Sequence, residues 1–416
     1  MGGSNMLNFE LIMSCLISIY IFVLPLLLSK FKYKGIPING DSLLVFIILF
    51  YLLSIIIDKN SRKKFINGIK DFFTNKHNLF MIIWVGMMFV SVIYAQDKKL
   101  ALQESIRLST YLILLFIIKY QITRKVNLNK IIYSTIGVGV IISSVGIYQY
   151  IERVIYKGEY TTRIFSTMEN SNNLGALFVI LIFPMIILAI KEKNKLKKSI
   201  YYVVSLLFLV NIVFSFSRNA WLGFIIGYIT LIFILNYRLI YGLLIGGIAV
   251  LSIPSIFQRI KEIGDISQNL SRLSLWQIAV AMIKDHPILG VGNGNYRTLY
   301  NHYHNNISHI TDYEAHNNFH PHNAYLKAQS ELGIMGTISL LGFLITSFTK
   351  CNRFSNNIKD KFYKNFYKGF SASIIAFMFM NFVDNFFSAP KVVAFFFILL
   401  GILNCYEYNN LEDELI

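Results

Sequence analysis

The chain has 416 residues, 55% of them hydrophobic and only 15% charged, with a formal net charge of +17; its mean hydropathy is +0.53. Soluble domains carry charge on about a quarter of their residues, so the composition excludes a soluble globular protein. The lysines lie between apolar runs, where positive-inside topology puts them, which excludes a nucleic-acid-binding stripe.

Met1-Gly2-Gly3-Ser4-Asn5, ahead of Met6, read as an appended leader and are set aside. Twelve apolar runs of near-bilayer length follow, at roughly 7–29, 41–57, 78–96, 100–119, 131–151, 172–190, 200–215, 219–236, 239–256, 324–349, 367–387 and 391–405. The spans at 200–215 and 391–405 are the shortest. The expected fold is therefore an all-α integral membrane protein of about twelve transmembrane helices. Loops after even-numbered spans hold most of the lysine, as in Lys59, Lys63, Lys64, Lys70 and Lys76, or Lys191, Lys193, Lys195, Lys197 and Lys198. Those loops should face the cytoplasm. The long loop 257–323 then lies outside it, and the chain divides into an N-terminal bundle (1–256), this extracytoplasmic loop (257–323) and C-terminal spans with a tail (324–416). The three cysteines, Cys15, Cys351 and Cys405, suggest neither a disulfide framework nor a thiolate metal site.

The longest polar stretch runs from His286 to Thr337 and holds seven of the eight histidines: His286, His302, His304, His309, His316, His320 and His322. Ahead of it, Ser271 could cap a helix reaching about Lys284. Leu273, Trp276, Ala279, Val280 and Ile283 share one face of it, so it should be amphipathic and lie at the membrane surface. Pro287 and the glycines Gly290, Gly292 and Gly294 then impose turns.

Several residues could carry chemistry. Arg218, at the outer junction of spans seven and eight, is either an interfacial anchor or an anion ligand beside free helix N–H groups. Arg272 is either a headgroup anchor or its partner in gripping a phosphate. Arg163 and Arg297 read as solvated loop charges with supporting roles at most. His302, His304, His320 and His322 could in principle bind zinc, but Asp312 and Glu314 complete no known spacing. A single histidine base is the better fit, and His322, at the mouth of span ten beside Asn323, is best placed. Asp384 reads first as an interfacial acid and second as a partner that orients His322. Glu104 and Arg107 can pair within span four. No Asp-x-Asp pair is present to hold a divalent ion on a diphosphate.

In their order along the chain, these residues resemble the O-antigen ligase and O-antigen polymerase family. Arg163-Ile164-Phe165 with Asn170-Ser171-Asn172 looks like its Arg…Asn-Pro-Asn entry to a span, with Ser171 at the proline position. Ser217-Arg218 is similar to its Ser-Arg motif. Arg272…Trp276, then Pro287…Gly290-Val291-Gly292, resembles its Arg…Trp…Pro-x-x-Gly-x-Gly signature. His322-Asn323 followed by Gly333 resembles its His-[Asn/Ser/Gln]-x9-Gly-x-x-Thr pattern, with Gly336 at the threonine position and Thr337 next. The resemblance implies a metal-independent, inverting glycosyltransferase of the bacterial cytoplasmic membrane, with no cofactor. Its donor would be an undecaprenyl-diphosphate-linked oligosaccharide and its acceptor a glycan or lipid, among other polysaccharide-assembly membrane proteins. Arg218 and Arg272 would hold the diphosphate, and His322 would be the base. Asn172, Asn323, His320, Arg163, Arg297 and Asp384 would support them. Surface-polysaccharide polymerisation and ligation of a finished glycan both remain open; the Lys-, Ile- and Asn-rich composition leans towards the first. A transporter or flippase is the rival of another class. It predicts ionisable residues deep in several spans.

Overall fold

The computed structural model describes residues 9–27, 32–33, 36–37, 40–159, 162–261, 270–307 and 320–411. The first five residues, His309, Asp312, Glu314 and His316 lie outside them. Each expected span has a helix: α1 (Phe9–Leu26), α2 (Gly40–Ile57), α4 (Lys76–Tyr94), α5 (Lys98–Gln121), α6 (Lys125–Ile151), α7 (Ser171–Lys191), α8 (Lys195–Phe214), α9 (Arg218–Ile234), α10 (Leu239–Leu251), α14 (Ala324–Asn357), α15 (Lys361–Met380) and α16 (Pro390–Tyr408). Side chains of Asn75, Asp97, Asn170, Asn194, Ser217, Asn323 and Asp360 cap seven of these by accepting first-turn N–H groups.

Among the described residues, nine helices are long and apolar enough to cross a membrane. The spans expected to be shortest are among them, as α8 and α16 run to 20 and 19 residues. Three expected spans fall short. Helix α9 has 17 residues. The expected span 239–256 is cut at Pro254, leaving the 13-residue α10 and a separate α11 (Pro254–Lys261), because proline cannot continue a helix. Helix α15 carries Lys361, Lys364 and Lys368 in its first half. A helix also replaces the expected loop before span three: α3 (Lys59–Thr74), capped by Asp58 and buried only at Ser61, Gly68 and Phe72. Lys32–Tyr33 and Ile36–Pro37 form a two-residue antiparallel pair.

Helices α7 and α16 are the most enclosed spans. Helix α15 packs on α7 and α9, α14 on α4, and α16 on α5. One hydrophobic cluster therefore joins the first and last parts of the chain. A second, small cluster lies apart, where α12 (Leu270–Asp285) meets α13 (Tyr296–Asn306). On α12 the face named from the sequence is not the one that meets α13. The face that packs carries Leu275, Ile278, Ala279 and Met282, all buried, while Leu273 and Val280 stay exposed. The helix is apolar on two sides. The tyrosines Tyr296, Tyr300 and Tyr303 of α13 claim one of them.

Loop and bundle are locked together at a break in α14. Gly333 leaves helical geometry there, with φ of 66°. The freed Ser330 and Glu331 carbonyls accept Val291 N and Gly292 N, each at 2.8 Å. The Glu331 carboxylate accepts Gly294 N at 2.9 Å and Tyr296 N at 3.3 Å. Gln329 donates to the Pro287 carbonyl at 3.0 Å and accepts from Thr337 Oγ1 at 2.6 Å. A Cβ on Gly333 would sit 2.0 Å from Ile288 O, and one on Gly290 would sit 2.4 Å from the Glu331 backbone. Both positions need glycine for close approach and for positive φ. Gly333→Ala should destabilise the protein by about 2 kcal/mol or more. Gly246→Ala, where a Cβ meets nothing within 4 Å, should cost nothing. Paired thermal melts in detergent check both.

Candidate functional site

The first turn of α14 holds His322 in place. Asn323 caps the helix by accepting Tyr325 N and Leu326 N, both at 3.0 Å. Ala324 N donates to the Asn381 carbonyl at 2.8 Å, which ties the helix start to the turn after α15. Between those anchors His322 takes φ of +44°, a conformation that costs a non-glycine residue energy and persists only where its surroundings impose it. Its Nδ1 lies 3.0 Å from Asp384 Oδ1, across 62 residues of sequence. Asp384 is therefore no plain interfacial acid. Burial alone would raise its pKa, but the His322 hydrogen bond and charge, the Asn385 N–H and Arg272 together hold it well below the usual carboxylate range. An ionised Asp384 favours the tautomer with hydrogen on Nδ1, which puts the basic lone pair on Nε2.

The other Asp384 oxygen leads to the arginines. Asn172 Nδ2 donates to Oδ2 at 3.2 Å. The Asn172 oxygen accepts Arg163 at 2.7 Å and Ser217 Oγ at 2.9 Å. Arg163 is thus not a solvated loop charge; it also donates to the Ser215 carbonyl at 3.2 Å. Ser217 in turn caps α9, whose first residue is Arg218. Arg272, in the first turn of α12, donates to the Val383 carbonyl at 3.0 Å, one residue from Asp384. Burial, then the like charges of Arg259, Arg218 and Arg272, depress the Arg163 guanidinium. Four arginines from three helices and one loop thus share one electrostatic neighbourhood. Arg259, on α11, escaped the sequence reading because it sits in no motif.

His320 stacks against His322, with ring centroids 3.9 Å apart, and its Nδ1 accepts the His322 backbone N–H at 3.2 Å. Burial, then the charges of His322 and Lys327, lower its pKa, so it stays neutral. His320 also faces a cavity of about 250 Å³ lined by Glu104, Arg107, Arg297, Lys327 and Glu331. The expected Glu104–Arg107 pair forms there. Glu331, buried and 3.7 Å from Lys327, is a second residue that sequence reasoning missed; its signal was a lone acid inside an apolar span. Arg297 is exposed and lies on this side, away from the Asn172 network. His286 and His302 are exposed, and His304 stacks on Tyr300. Among the described residues no three His, Cys, Asp or Glu side chains gather as a metal ion would require.

Asp384→Asn keeps the shape of the carboxylate and removes its charge. A depressed carboxylate stabilises the fold fully above its unfolded pKa of about 4, and that contribution fades as pH falls through the folded value. The melting-temperature gap between wild type and Asp384→Asn should be widest near neutral pH and narrow below about pH 4. Thermal melts across that range check it; a gap independent of pH would mean that the charge contributes nothing.

No curated protein matches the chain. Residues 203–341 match the family described as O-antigen ligase, a stretch that holds Arg218, Arg259, Arg272, the glycine-rich loop, His322 and the break in α14. This multi-pass helical protein therefore carries an O-antigen ligase family domain at residues 203–341.

Proposed function

We propose that the protein is a glycosyltransferase of the bacterial cytoplasmic membrane that uses an undecaprenyl-diphosphate-linked oligosaccharide as donor at the extracytoplasmic face. The observation that carries this reading is the junction of the His322–Asp384 pair with the arginines through Asn172. Like charges held together are costly unless an anion joins them. A diphosphate offers two to three negative charges, and guanidinium groups bind its oxygens in bidentate fashion. Arg218 and Arg272 are the primary ligands in this scheme. Arg163, oriented by Asn172, and Arg259 add to the field.

The acceptor enters from the His320 side. Its hydroxyl attacks the anomeric carbon as His322 Nε2 takes the proton, and the bond from that carbon to the diphosphate oxygen breaks. The electron pair leaves with undecaprenyl diphosphate, and single displacement inverts the anomeric centre. Asp384 stabilises the imidazolium that forms. Charge on the leaving group grows during the step, so the arginines act most strongly in the transition state. Their combined charge neutralises a diphosphate by itself, which supports a metal-independent reaction. The lysine-rich loops at the other ends of the spans support the orientation.

The test uses purified protein, native lipid-linked oligosaccharide and EDTA. Wild type should release undecaprenyl diphosphate and build longer glycans. His322→Ala and Arg218→Gln should each lose about 100-fold or more in turnover. Transfer of single finished chains to another acceptor would identify a ligase instead. Loss of turnover in EDTA would overturn the metal-independent mechanism. Absence of turnover with any lipid donor, together with histidine-dependent uptake, would favour a transporter.

A further inference from the structure

The far end of α14 borders a second polar cavity, of about 570 Å³, at the opposite ends of the spans from His322. At about 1.5 Å per residue, Arg353 lies some 40 Å along α14 from its start. The lining comes from α3, α4, α5, α14 and α16 and includes His77, Lys119, Lys350, Arg353, Asp71 and Glu407.

Charge in this cavity is unbalanced. Lys119 Nζ pairs with Asp71 at 2.6 Å and Lys350 Nζ with Glu407 at 3.0 Å. Lys350 also bonds to the Asn404 side chain. That uses both carboxylates and leaves a third cation, Arg353, which has no ion pair or hydrogen bond among the described residues. Lys119 is 1% exposed, so its charge is fixed in the cavity wall. His77 is 7% exposed, and neither of its ring nitrogens has a hydrogen-bond partner among the described residues. A buried imidazole without partners is costly. The two ring nitrogens point to different sides of the ring, so a monoprotonated phosphate at one edge can meet one of them, as acceptor or as donor. The volume lies in the range of small-ligand sites. The wall, however, is polar and cationic, which suits a highly charged ligand better than an apolar one.

We infer that this cavity is a phosphate-binding site on the face opposite the His322 centre, with Arg353 and His77 as its ligands and Lys119 and Lys350 setting its field. The phosphate belongs either to a soluble phosphorylated molecule or to an anionic phospholipid headgroup. This inference is independent of the reaction proposed above.

Pyrophosphate is the probe, titrated calorimetrically into full-length protein in neutral detergent and in nanodiscs of phosphatidylcholine or phosphatidylglycerol. The arginines around Arg163 should give one binding component, lost in Arg218→Gln. The cavity should give a second, retained in Arg218→Gln and weakened roughly tenfold in Arg353→Gln and in His77→Phe, as expected for loss of one charge-assisted or buried hydrogen bond. Arg353 is exposed, so its variant tests the site even if His77→Phe fails to fold. Loss of the second component in phosphatidylglycerol alone would assign the site to a lipid headgroup, and its persistence there would assign it to a soluble ligand. Isotherms unchanged by Arg353→Gln in detergent and in phosphatidylcholine would overturn the inference.

Discussion

A backbone junction between the loop at residues 288–294 and the break in α14 holds the structure's working parts in register. A helix that spans a bilayer cannot leave carbonyls unpaired, and irregular backbone is tolerated there only where protein satisfies it. Ser330 and Glu331 lose their helical partners at Gly333 and regain them from Val291 and Gly292. The contact is so close that neither Gly290 nor Gly333 could carry a side chain. The same stretch is fastened to the last turns of α4 and the start of α5, where Asn293 N donates to Ser91 Oγ at 3.0 Å and Asn295 Oδ1 accepts Asp97 N at 2.7 Å. The loop is thus clamped from two sides. It is the rigid base on which α12 and α13 stand.

The arginine neighbourhood imposes the second constraint. Arg259, Arg218 and Arg272 all bear on the Arg163 guanidinium, and Arg272 also on the buried Asp384 carboxylate; like charges brought together cost energy. The fold accepts this because neutral groups do the positioning. Asn172 orients Arg163, Ser217 places α9, and the Val383 carbonyl holds Arg272. None of these groups cancels the positive charge, as a carboxylate would. Neutral scaffolding around concentrated charge suits an anion site, since the groups that orient Arg163 and Arg272 do not neutralise them.

Much of this was legible in the sequence, because a span needs about 20 apolar residues and such runs are unmistakable. Local motifs were legible for a similar reason. The Ser217-Arg218 helix start and the Asn323 cap are properties of a few adjacent residues, and both form. The sequence misled where the answer depended on a partner far along the chain. Asp384 read first as an interfacial acid and only second as the partner of His322, because nothing near it in sequence could decide for a histidine 62 residues earlier. Periodicity found the α12 face with Leu273 and Val280, but it could not show that a second apolar side, with Leu275 and Ile278, would meet α13. Glu331 and Arg259 belong to no motif; one fastens backbone N–H groups and the other adds to a field. The cut at Pro254 was a local signal, outweighed by an apolar run that continued past it.

The break in α14 also explains why one helix can serve two ends of the protein. Had α14 been continuous, His322 and its cap would follow any shift of the whole 34-residue rod. With Gly333 interrupting it, residues 324–332 are bonded to the glycine loop and to the turn at Asn381. The remainder packs on α4 and runs to Lys350 and Arg353. The short first segment therefore belongs mechanically with the loop and the arginines. Thr337 reaches back across the break to the Gly333 carbonyl at 3.2 Å and to Gln329 at 2.6 Å, so side-chain bonds join the two segments. A histidine held at positive φ, a helix start two residues away and a glycine break one turn beyond Gln329 are then a single arrangement. Each supplies backbone constraints that the others need, and their joint effect is to present one imidazole beside a field of fixed positive charge.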